Sequence, residues 1–148
     1  MLAHIVLRCV PMPRRHFSVR LSDEDRVRLA ERAEDSRVSE SELARRYVSE
    51  GLRRDLHPGI TSRPGRVGGR AALASRPRLE VAVVVETWMQ NDRDVEATAE
   101  WHGIPVADVQ AALAYHADFP DEIEGIIGRK RRVAERYEHV YGRAIPRR

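Results

Sequence analysis

The chain has 148 residues, a third of them charged, with a formal net charge of +3 and a pI near 9.5. That length allows one domain or two small ones, each with a modest core, and the basic balance admits a polyanionic partner without demanding one. The single cysteine, Cys9, excludes an internal disulfide and a cysteine-based zinc site, which fits a reducing cytoplasm, and no apolar run approaches the roughly 20 residues of a membrane span.

The opening MLAHIVLRCVPMP is too short and too weakly basic for a secretory signal. Residues 1–12 read as a disordered extension, or as a start assigned upstream of Met12. The first ordered element is HFSVRLS, residues 16–22, in strict apolar and polar alternation: Phe17, Val19 and Leu21 share one face and His16, Ser18 and Arg20 the other. Ser22 then caps a helix in SDED, its hydroxyl placed to accept from the Asp25 amide, and Val27, Leu29, Ala30 and Ala33 form the apolar side. The signal repeats in SESE, with Ser39 as cap and Glu42 completing the box. Leu43, Ala44, Tyr47, Val48, Gly51, Leu52 and Leu56 follow at helical spacing. Residues 13–56 are thus strand, helix, helix. So short a segment rarely sustains a core, and a lone strand leaves its backbone groups unpaired, so the expected solution is pairing with the same strand of a second copy.

Residues 57–80 carry five Arg and one Glu and are dense in glycine and proline, so a boundary is expected near Leu56 and a turn-rich connection beyond it. Its glycines lack the Lys-Ser/Thr ending of a phosphate-binding loop. Residues 81–128 reverse the charge, with one Arg against ten acidic groups for a net −9. Within them VEATAEWHGIPVADVQAAL places Ala99, Gly103 and Val109 at helix-turn-helix spacing. The second helix of that pair, from about Pro105 to Ala117, offers Asp108, Gln110 and His116 but no Arg or Lys, and would meet phosphates against repulsion. The segment therefore reads as a structural trihelical core. His102 and His116, with Glu100, Asp118, Asp121 and Glu122, match no metal-ligand or acid/base spacing and read as solvated groups; no catalytic residue, metal or cofactor is expected. Trp88 and Trp101, at helical positions, are expected in the core. From Ile123 a helical stripe of Ile126, Ile127, Val133, Ala134, Tyr137, Val140 and Tyr141 continues into the basic segment 129–148, which carries RKRR and GRAIPRR. So long a helix is expected to outreach a small trihelical body.

The pattern HFSVRLSDEDRVRLAERAEDSRVSESELARRYVSEGL, residues 16–52, resembles the ribbon-helix-helix repressors, with their VRLS strand ending and S-x-S-E-L-x-R helix opening. The resemblance implies a dimeric, antiparallel ribbon in the DNA major groove. His16, Ser18 and Arg20 would read base edges, Arg20 pairing bidentately with guanine. The amino end of the second helix, at Val38, Ser39 and Ser41, would hold a phosphate, with Arg14 and Arg15 adding phosphate contacts. Residues 57–127, most specifically VQAALAYHADFPDEI, resemble a family of small helical domains of unknown function that occur beside genes for PIN-like ribonuclease toxins. Together these imply a mainly α chain: a ribbon-helix-helix of one short strand and two helices, a trihelical helix-turn-helix-like domain, and a C-terminal helix. The implied role is a cytoplasmic antitoxin, not an enzyme, whose partners are double-stranded operator DNA, a second copy and a PIN-like ribonuclease toxin, with no membrane. Val133, Tyr137, Val140 and Tyr141 are expected to dock in a toxin groove, and Arg143, or failing it Arg147 or Arg148, to reach its acidic site. A stand-alone repressor and an adaptor that never touches DNA remain open as alternatives.

Overall fold

A computed structural model describes residues 18–63 and 69–141. Among them are six helices and one two-stranded antiparallel sheet, so the chain is mainly helical. It divides into two compact units, one ending at Leu43 and the other beginning at Ala44.

The first unit holds helix α1, Asp23–Ser36, and the opening of α2, Glu40–Leu56. Both starts follow the local chemistry. The Asp25 amide donates to Ser22 Oγ at 3.1 Å, and the Glu42 amide to Ser39 Oγ at 3.2 Å. The α1 carboxyl end closes on Arg37, left-handed at φ 54°, whose amide and that of Val38 return to the last carbonyls. Ala33 and Leu43 are buried, but Val19, Leu21 and Val27 are 61, 47 and 57% exposed. Residues 18–22 form no strand in the single chain.

The contact boundary at Leu43 lies within α2, whereas composition shifts at Leu56. The stretch expected as a connection differs in the structure: a hairpin joins β1, Ile60–Arg63, to β2, Arg70–Leu73, with Ile60 opposite Leu73 and Arg63 opposite Arg70. Ile60, Ala71, Ala72 and Leu73 are buried, so the few apolar residues between the glycines and prolines supply core rather than spacer. Ala72 also bridges Glu80, tying the hairpin to the start of the helical body.

That body is α3, Val81–Gln90; α4, Val95–His102; α5, Val106–Asp118; and α6, Pro120–Tyr141. The α3–α4 turn passes through Asp92 and Arg93, both at positive φ, and Asp94 Oδ1 caps α4 from the Ala97 amide at 2.9 Å. Between α4 and α5 the three positions set by helix-turn-helix spacing have their steric reasons: Ala99 and Val109 are buried, and Gly103 sits at φ 60° with its amide on Ala99 and Glu100. One apolar cluster runs from Ile60 and Leu73 through Val81, Val84, Val85, Val109 and Ala112 to Ile123 and Ile127. α6 packs only its first half. Residues 131–139 are all exposed, so about 15 Å of helix, at 1.5 Å per residue, stands beyond the packed portion.

Candidate nucleic-acid and partner interface

Of the residues expected to read bases, Ser18 and Arg20 are exposed and His16 lies outside the described residues, as do Arg14 and Arg15, expected to add phosphate contacts. At the amino end of α2 the expected phosphate site divides. The Val38 amide is consumed by the Ala33 carbonyl at 3.0 Å, and Ser39 Oγ by the Glu42 amide. The amides of Glu40 and Ser41, at the first helical positions, have no carbonyl within the helix to pair with. The exposed Ser41 is thus the best placed of the three, but Glu40 and Glu42 put two carboxylates beside it that the sequence reading did not weigh.

The two sides of α2 differ in kind. Toward the body lie Arg46, Glu50 and Arg53. Ser62 Oγ donates to Glu50 at 3.1 Å; Arg53 donates to Tyr115 Oη at 3.1 Å and to Glu122 at 2.5 Å, with its guanidinium 4.5 Å from the centre of the Phe119 ring. Val48, Leu52 and Leu56, at i, i+4 and i+8 with Tyr47 beside them, lie on the other side and are 57, 61, 69 and 44% exposed. The α2 helix thus leaves an apolar stripe uncovered on the side away from Arg53.

Arg53 belongs to a cluster that sequence reasoning missed. Tyr115 Oη donates to Glu122 at 3.2 Å; burial, then the Glu122 charge, push the phenol up to about 12, so it stays a donor. The Arg53 pKa is raised, its desolvation outweighed by Glu122 and Tyr115. The buried His57 ring meets Tyr115 and Phe119 edge-on, at 5.2 and 5.8 Å between centres, and its Nε2 lies 3.0 Å from Asp118 without hydrogen-bond alignment. A basic residue in the last turn of α2 was the only local signal, and it reads equally well as a helix-dipole partner.

In α6, Val133 and Tyr137 are 55 and 60% exposed, one turn apart. Val140 and Tyr141 continue the helix, and Arg143 lies outside the described residues. Part of RKRR is spent within the body: Lys130 donates to Glu80 at 2.9 Å and Arg131 to Glu86 at 3.0 Å. Burial raises the Glu80 carboxyl, but hydrogen bonds from Lys130 and Arg70 outweigh it and hold the group below its ordinary value. Arg129, Arg132, Arg136 and His139 recur at three- and four-residue steps and are exposed, making a basic ridge next to the Val133–Tyr137 stripe.

The acids and histidines weighed as an enzyme site are spread over separate contacts. His102 Nε2 is 2.9 Å from Thr87 Oγ1, His116 pairs with Glu124 at 3.3 Å, Asp118 stands beside His57 and Glu122 holds Arg53. Asp108 accepts from Ser75 at 2.6 Å. Among the described residues no three His, Cys, Asp or Glu are arranged to hold a metal ion. The tryptophans correct an expectation. Trp88 is half-buried and donates to the Arg93 carbonyl at 2.8 Å, but Trp101 is 75% exposed. The two-turn helix α4 buries Thr98 and Ala99, and that phase turns Trp101 outward. Comparison with protein-family models, curated proteins and solved structures finds no match for this chain.

Proposed function

We propose that the chain is the antitoxin of a type II toxin–antitoxin pair, binding operator DNA as a dimer through residues 13–56 and neutralising a PIN-like ribonuclease through its C-terminal half. The observation that carries the reading is the exposed apolar stripe of α2, Tyr47, Val48, Leu52 and Leu56, with Val19, Leu21 and Val27 also exposed. A second copy would cover these residues and pair the backbone of residues 18–22, which forms no strand in the single chain. The ribbon would then present Arg20 and Ser18, with His16, to base edges. The distal half of α6 supports the second role: an apolar stripe beside a basic ridge, standing clear of the body, suits a groove with clustered carboxylates.

Three measurements test this. Sedimentation at micromolar concentration should give a dimer; a monomer with α1 and α2 folded would refute it. Arg20→Ala should cost about 1–3 kcal/mol at an operator guanine, while Arg15→Ala weakens all sequences alike. Truncation after Arg132, which removes no residue of the buried cluster, should abolish toxin neutralisation and spare operator binding. Full neutralisation by that truncated chain would move the toxin interface to the body.

A further inference from the structure

Trp101 is the most exposed of the large apolar side chains among the described residues, at 75%. It borders an open concavity of about 590 Å³ together with Gln90, Asp92, Asp94 and Glu100. The indole Nε1 and the carboxylates of Asp92 and Glu100 have no partner among the described residues; Asp94 is spent on the α4 cap. An exposed indole and two carboxylates lining one concavity supply the two kinds of group that a guanidinium engages, its plane on an aromatic ring and its N–H fork on a carboxylate. The chain makes half of that pairing at the same turn, where Arg93 lies 5.6 Å over the Trp88 ring. The surrounding segment carries a net −9, which repels nucleic acid and anionic membrane and attracts cationic chains.

We propose that the Trp101 concavity is a docking site for an arginine-bearing segment of another protein chain, separate from the α2 stripe and from α6. Arginine is favoured over lysine because its planar guanidinium can stack flat on the indole and pair bidentately with a carboxylate, whereas an ammonium acts on the ring and the acids as a point charge.

The test titrates nona-arginine and nona-lysine peptides into the full chain and follows binding by calorimetry and tryptophan fluorescence. Nona-arginine should bind about two- to three-fold tighter, since both cations gain the attraction of the ring but only the guanidinium also stacks on it and pairs bidentately with a carboxylate. Trp101→Ala should erase that preference. Asp92→Asn with Glu100→Gln should weaken binding about ten-fold, and far more than Glu135→Gln with Glu138→Gln, which removes the same charge from distal α6. Each variant changes exposed side chains, and circular dichroism checks its fold. Equal binding of the two peptides, a preference that survives Trp101→Ala, or equal losses from the two double variants would overturn the proposal. Loss of self-association in Trp101→Ala would reassign the site to a second copy. Tighter nona-arginine binding after deletion of residues 142–148 would reassign it to the chain's own tail.

Discussion

The ion pair between Arg53 and Glu122 offers a direct measure of how firmly α2 is fixed to the body. Its 2.5 Å separation is matched by Arg28 and Glu24 on α1 at 2.6 Å, but the former pair is 36 and 26% exposed and the latter 67 and 73%. Distance alone would rank them equal; burial separates them. Arg53→Met removes two charge-assisted hydrogen bonds, each about 1.5 kcal/mol at this partial exposure, and a cation–π contact of about 1 kcal/mol, part of which the thioether regains on the Phe119 ring. The expected cost is about 3–4 kcal/mol. Glu122→Gln keeps an acceptor for Arg53 and Tyr115 and should cost about 1 kcal/mol. A double-mutant cycle from urea unfolding, at one fixed protein concentration, should give a coupling of about 1–1.5 kcal/mol for Arg53–Glu122 and under about 0.5 kcal/mol for Arg28–Glu24. An unchanged m-value is needed to read the cycle as native-state energy. If the two couplings are equal, burial is not what sets the strength of this cluster, and the fixed placement of α2 on the body loses its energetic support.

Burial, with the Arg76 charge adding to it, lowers the pKa of His102 from its ordinary 6.5, so the unfolded chain takes up the proton first as pH falls. The stability this contributes is complete above 6.5 and lost as pH drops through the folded value; the fall in urea midpoint between about pH 7.5 and about pH 5.5 should shrink in His102→Gln. Glu80 is held low by Lys130 and Arg70, so its contribution is present above 4.5 and lost on further acidification. Glu80→Gln should flatten that acid limb in thermal melts. A Cβ at Gly103 meets nothing within 4 Å, so Gly103→Ala should cost only the left-handed backbone, about 1 kcal/mol, and Gly103→Asn less, as urea unfolding can determine.

What the sequence determined by itself is local. Ser22 and Ser39 cap their helices because a hydroxyl and an amide three residues on need nothing from the rest of the chain. Gly103 turns left-handed between α4 and α5 for an equally local reason, and the stripes of α2 and α6 follow from 3.6-residue periodicity. Tertiary structure decided the rest. The hairpin of β1 and β2 hides among glycines and prolines because four-residue strands carry little pattern until they pair and find a core. Arg53 meets Glu122 across 69 positions of sequence, and nothing near either residue announces the other. Trp101 faces outward because an eight-residue helix makes barely two turns, too few for spacing to set its phase; packing of Thr98 and Ala99 sets it instead. Periodicity says that a helix has an apolar side, and only the packed chain says whether that side is covered: on α2 it is left exposed at Val48, Leu52 and Leu56, while the Arg53 side binds the body.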